Sequence, residues 1–264
     1  MNNITELVFI IDKSGSMEGL ESDTIGGFNS TIKKQKKDKE SKAYVTTILF
    51  NSTFEMIHDR VELSKINLMK ESDYEVGGST ALLDAVGETI DHIKNIHKYA
   101  RPEDVPSKTL FVIITDGMEN ASRKYIRSQI KSMISAMREE NKWEFIFLGA
   151  NIEAEEVAES YGILRDCSVN YHSDKRGTKA AWESINMAVD CCMKSESRIC
   201  CERESKSDWK KAIKEDAKKR RLRDLDDEDA AWGSWELRNE NWELRIESWE
   251  LRIENLELRI ENLE

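Results

Sequence analysis

Continuous apolar runs constrain this chain more than any other feature. Leu7-Val8-Phe9-Ile10-Ile11 and Leu110-Phe111-Val112-Ile113-Ile114 have no polar interruption, and Trp143 to Leu148 is broken only by Glu144. A strand half-exposed to water alternates apolar and polar residues. A run without alternation reads as a strand buried on both faces, which occurs in parallel sheets covered by helices. Between these runs the apolar period changes to that of helices: Leu20, Ile25, Phe28 and Ile32; Leu82, Val86, Ile90, Ile93 and Ile96; Ile126, Ile130, Met133, Ile134 and Met137; and Trp182, Ile185, Val189 and Cys192. Shorter helices are expected over residues 152–161 and 207–219, and a weak strand near 166–170. Ala43 to Phe50 and Thr53 to Ile57, joined by the turn residues Asn51-Ser52, read as an antiparallel hairpin. Strand alternates with helix throughout, so the expected fold is a doubly wound α/β sheet, mostly parallel with one antiparallel edge strand.

Charge is distributed unevenly along the 264 residues. Residues 221–264 hold six arginines and fourteen acidic residues, so most of the formal net charge of −11 lies there and the preceding body is close to neutral. No basic stripe with interleaved aromatics appears, which argues against a nucleic-acid groove. The run Lys33-Lys34-Gln35-Lys36-Lys37 is the expected solvated end of a helix. The first residues carry no basic n-region and no apolar run long enough for a signal peptide or a membrane span, so the expectation is a cytoplasmic protein without membrane association. Five cysteines, Cys167, Cys191, Cys192, Cys200 and Cys201, lack zinc-knuckle spacing and read as reduced thiols. His58, His92, His97 and His172 are scattered and read as surface or packing residues, and Trp143 and Trp182 as core.

The first apolar run ends in Asp12-Lys13-Ser14-Gly15-Ser16, a carboxylate and two hydroxyls at alternate positions with a glycine to allow a tight turn. Two later segments add oxygen groups: Thr80, within Gly77-Gly78-Ser79-Thr80, and Asp116, within Thr115-Asp116-Gly117 at the end of the second run. Ligand sites in open α/β sheets lie at the carboxyl ends of the strands. All five groups are oxygen donors and none is His or Cys, which favours a hard cation such as Mg²⁺ over zinc.

These segments, in this order, resemble the metal-ion-dependent adhesion site of von Willebrand factor A domains, and the resemblance extends over about residues 4–195. Ser22 to Asn29 and Asp116 to Ser122 add a narrower likeness to bacterial cytoplasmic A-domain proteins, including the tellurite-resistance-associated kind. The resemblance implies that Ser14 and Ser16 contact the metal directly, Thr80 in the ligand-bound state, and Asp12 and Asp116 through water or by exchange. It implies Mg²⁺, with Mn²⁺ and Ca²⁺ as alternatives. Hydroxyl ligands leave the cation electrophilic, so a protein partner presenting Asp or Glu can complete its coordination.

A rival reading is a Mg²⁺-dependent phosphoryl-transfer enzyme of haloacid-dehalogenase type. That chemistry needs a second aspartate two residues after the first as general acid, where this chain has Ser14. No phosphate-binding Gly-x-x-x-x-Gly-Lys-Ser/Thr loop is present either. The expectation is therefore a docking module without enzymatic activity. The expected organisation is a domain over 1–200, a helix or linker over 201–220, and a repeat tail over 221–264. In that tail a seven-residue unit recurs from Trp235, placing Trp242, Trp249, Leu256 and Leu263 at d positions and Ile246, Ile253 and Ile260 at a. A coiled coil through residues 235–264 would make a homo-oligomer and gives a third reading, structural assembly. Leu244, Leu251 and Leu258 fall at f, which a dimeric coil leaves exposed, and the near-identity of the units also fits simple repeat expansion.

Overall fold

The structure is a computed structural model, and it describes residues 4–38, 42–194, 209–221 and 223. The compact unit up to Asp216 carries the fold. Its elements follow one another as β1 (Ile4–Asp12), α1 (Glu21–Gln35), β2 (Lys42–Phe50), β3 (Phe54–Glu62), α2 (Leu82–Tyr99), β4 (Lys108–Thr115), α3 (Arg127–Asn141), β5 (Glu144–Ala150), α4 (Ala154–Ser160), β6 (Ser168–Tyr171) and α5 (Lys175–Lys194). Residues 211–216 are helical as well, and Trp209 and Ile213 join the core of this unit. The heptads and the cysteines at 200 and 201 lie outside the described residues. Among the described residues no helix is long and apolar enough to cross a membrane.

One six-stranded sheet, in the order β3-β2-β1-β4-β5-β6, forms the centre. Every neighbouring pair is parallel except β2 with β3. The apolar runs account for the middle of it: Leu7 to Ile11 on β1 and Leu110 to Ile114 on β4 are each at most 1% exposed. Both faces are therefore covered. Phe9 meets Phe28 of α1 edge-on at 5.3 Å, and Phe28 meets Trp182 of α5 at 6.3 Å. Phe9 pairs in register with Val112, so Phe111 points to the opposite face. There it stacks on Trp143 at 5.3 Å, which in turn meets His97 of α2 at 5.4 Å.

Three local expectations are corrected. The second hairpin strand runs to Glu62 rather than stopping near Ile57, because two register shifts break the alternation that would have revealed it. One of these bulges contains Arg60, at φ +48°, whose amide donates to Thr46 Oγ1 (3.1 Å). The strand read from the run ending at Leu148 continues to Ala150, with Gly149 inside β5 and paired with Thr115 and Asn170. A Cβ there would meet Ile152 and Ala154 at under 3 Å, so glycine at this place serves packing instead of a turn. Ile126 caps α3 in an extended conformation and is 63% exposed, so it leaves the inner face that Ile130, Ile134 and Met137 occupy. Cys167 and Cys192 are buried free thiols and Cys191 is partly exposed.

Candidate metal centre

The order of strands reverses at β1, which lies between β2 and β4, so the connections leaving the carboxyl ends of β1 and β4 border one crevice. The five oxygen-bearing residues expected from the sequence meet there. The Ser14 amide donates to Asp12 Oδ1 at 2.7 Å, and the Ser14 and Ser16 hydroxyls lie 3.1 Å apart. Ser16 Oγ donates to Asp116 Oδ1 at 2.5 Å, across a hundred residues of chain. Thr80 is placed by Gly117: a Cβ on that glycine would lie 3.2 Å from both the Ser16 and the Thr80 hydroxyl oxygens. Any side chain at 117 would fill the space between them. Asp12, Ser14, Thr80 and Asp116 are buried, whereas Ser16 is exposed, so the group opens to solvent on the Ser16 side.

Backbone contacts fix the loops that carry these side chains. Gly15 N–H donates to Gly78 O and Gly77 N–H to Lys13 O, which clamps the first loop against the glycine pair. Asn51 Nδ2 donates to Gly77 O at 2.7 Å, and its carbonyl accepts from Ala81. The segment after Asp116 is tied to the same place. Asn120 Oδ1 accepts from the Thr80 amide at 2.9 Å, while the amides of Asn120 and Ala121 return bonds to Thr80 O. Glu119 accepts from Leu83 N–H in the first turn of α2 and from Ala121 and Ser122 in its own loop. Asp84 accepts from the amides of Arg123, Lys124 and Tyr125.

The sequence reading missed the groups that hold the two aspartates, by side chain or main chain. Thr115 Oγ1 donates to Asp12 Oδ2 at 2.5 Å, and the Tyr74 hydroxyl donates to Asp12 O. Asn151 Nδ2 donates to Asp116 O at 3.2 Å, and Ser173 Oγ to Asp116 Oδ2 at 3.0 Å. Only Thr115, adjacent to Asp116 and a strand-ending hydroxyl, carried a local signal.

Burial pushes the Asp12 carboxyl up to about 6, against the hydrogen bonds from Thr115 and Ser14, and the nearby Asp116 adds to the rise. No ion pair to either aspartate is present among the described residues; Lys13, next in sequence, turns instead to Glu55 (2.5 Å). Among the described residues no three His, Cys, Asp or Glu side chains converge, here or elsewhere, so hydroxyls supply most of this donor set. Two buried carboxylates, neither ion-paired among the described residues, thus share one spot with three hydroxyls. That donor set fits a hard divalent cation.

No family model matches the sequence, and no curated protein sequence is significantly similar to it. Solved structures are similar in fold. The vWF domain of the type V pili tip protein Mfa5 from Porphyromonas gingivalis aligns with 75% of this chain and 99% of its own, at a TM-score of 0.56 and 8% identity. The PilB minor pilin from Streptococcus sanguinis aligns with 70% of this chain at a TM-score of 0.52 and 10% identity. The alignment spans 61% of that pilin. This chain therefore has the fold of von Willebrand factor A domains, an α/β sheet with one antiparallel edge strand.

Proposed function

We propose that this chain is a metal-dependent protein-docking module. One observation carries the reading: two buried carboxylates and three hydroxyls gather at one sheet edge with no ion pair to either carboxylate among the described residues, and the group opens outward at Ser16. Ser14, Ser16 and Thr80 would hold the cation through hydroxyls, with Asp12 and Asp116 balancing its charge. Mg²⁺ suits this donor set best, and Mn²⁺ or Ca²⁺ could replace it. The bound ion would supply an electrophilic point for an external carboxylate. The partner class follows: a protein presenting an exposed Asp or Glu.

The environment of Asp12 favours docking over phosphoryl transfer. Both Asp12 oxygens are tied to neighbouring groups, Oδ1 accepting from the Ser14 amide and Oδ2 from the Thr115 hydroxyl, which fixes the carboxylate in place. Ser14 also stands where the general acid would be needed. The loop is built to hold Asp12 still.

Calorimetry of the full chain should show Mg²⁺ binding that Asp12→Ala abolishes. Equal affinity in the two proteins would overturn the metal assignment. Neither protein should hydrolyse an aryl phosphate in Mg²⁺ above the uncatalysed rate. Turnover that disappears with Asp12→Ala would replace docking by catalysis.

A further inference from the structure

Asp116 is held from three separate connections. Ser16, after β1, donates to Oδ1; Ser173, between β6 and α5, donates to Oδ2; Asn151, after β5, donates to the main-chain oxygen. The first belongs to the oxygen set already described. The other two come from the far half of the sheet, which contributes no proposed ligand.

Ser173 is the more telling of the two because its own position is over-determined. Tyr171 ends β6 fully inside the protein, with its hydroxyl 3.4 Å from Thr115 O, so the chain just before Ser173 is anchored beneath Asp116. Just after it, Asp174 caps α5, its Oδ1 accepting from Gly177 N–H at 2.7 Å while its amide donates to His172 O at 2.8 Å. Gly177 lets the first turn of that helix press against the same carbonyl: a Cβ there would lie 2.0 Å from His172 O. The turn therefore delivers the Ser173 hydroxyl to one oxygen of one carboxylate. A surface serine with a merely solvating role needs no such framing.

Resting on the docking reading above, we infer that Ser173 is a positioning residue for the metal centre. Its hydroxyl fixes the rotation of the Asp116 carboxylate. Oδ1 is thereby left facing Ser16, and hence the cation that Ser16 would hold. With Ser173 in place, the orientation of Asp116 is set before any ion arrives. Without it, the carboxylate keeps only the bond from Ser16, itself a proposed ligand, and the ion must complete its ordering on binding. Removing groups that orient metal ligands in this way typically lowers affinity about tenfold to a hundredfold.

The test uses the full chain with Ser173→Ala, Ser173→Val and Ser173→Thr. Mg²⁺ affinity is read by calorimetry and the Mn²⁺ environment by electron paramagnetic resonance. Ala and Val should weaken Mg²⁺ about tenfold or more and change the Mn²⁺ line shape, while Thr, which restores the hydroxyl on a β-branched frame, should recover both. Thermal melts in EDTA should be alike for all four proteins, which separates positioning from folding. An Ala variant that binds Mg²⁺ as tightly as the wild type overturns the inference. So does a Val variant that behaves like Thr, since shape would then matter and the hydroxyl would not. Wild-type protein that binds neither ion overturns this inference together with the docking reading. Wild-type binding that is indifferent to Ser173 overturns only the role of Ser173.

Discussion

Strand β1 buries a carboxylate near each of its ends, and the protein treats the two in opposite ways. Glu6, fully buried toward the amino end, meets Arg60 Nε at 2.9 Å and His97 Nε2 at 3.4 Å. Arg60 in turn donates to Asp104 O and lies over the Tyr44 ring, so the guanidinium is itself well satisfied. Asp12, equally buried at the carboxyl end, receives only an amide and a hydroxyl, with a second carboxylate nearby. A buried charge is expensive unless paired, so the first carboxylate has its counter-charge, all of it on Oε2 while Oε1 stays without a hydrogen bond, and the second lacks one. The same strand thus shows what a structural carboxylate looks like beside one prepared for an outside cation. Asp84 adds an intermediate solution, a carboxylate answered by three backbone amides.

Each arm of this comparison can be broken separately. Glu6→Ala leaves the partly buried Arg60 without its carboxylate and should destabilise the fold by about 2–3 kcal/mol in urea melts, below the roughly 3–5 kcal/mol that breaking a fully buried pair costs. A loss under about 1 kcal/mol, typical of an exposed pair, would mean that the amino end is no more closed than the other. At the carboxyl end, Thr115→Val removes the donor to Asp12 Oδ2. It should weaken Mg²⁺ about tenfold or more by calorimetry, since that hydroxyl orients the carboxylate. Unchanged affinity would show that Asp12 needs no such support.

The smallest effect concerns Asp84→Asn, which should cost about 1–2 kcal/mol at neutral pH through weakened amide bonds. Burial alone would raise the Asp84 carboxyl, but the amides of Arg123, Tyr125 and Lys124 outweigh it and hold it below its ordinary value of 3.8. A depressed carboxyl stabilises fully above its unfolded value, and that contribution is lost as pH falls through the folded one. Wild type and variant should therefore converge in acid, below about pH 4. A difference that persisted there would assign the effect to shape instead of charge.

The parallel centre of the sheet was legible because burial on both faces leaves a composition that needs no neighbours to interpret, as in Leu7 to Ile11. The five oxygen residues were legible because three short segments carry them at fixed local spacing. What held them in place was not. Tyr74 reaches Asp12 across 62 residues, Ser173 reaches Asp116 across 57, and Asn120 reaches Thr80 across 40. No period or short motif records such contacts. The end of β3 escaped for a different reason, since inserted residues erase the two-residue alternation by which an edge strand is recognised.

That irregular edge has a consequence for how copies of the protein meet. An outermost strand offers unpaired amides and carbonyls on which another chain can add in register. Along β3 the insertions around Ile57 and Arg60 interrupt that repeat, and the Arg60 amide is already taken by Thr46. Its side chain turns inward to Glu6. The arginine that neutralises the buried acid of β1 thus also sits in a bulge that interrupts the regular hydrogen-bonding repeat along this edge of the sheet.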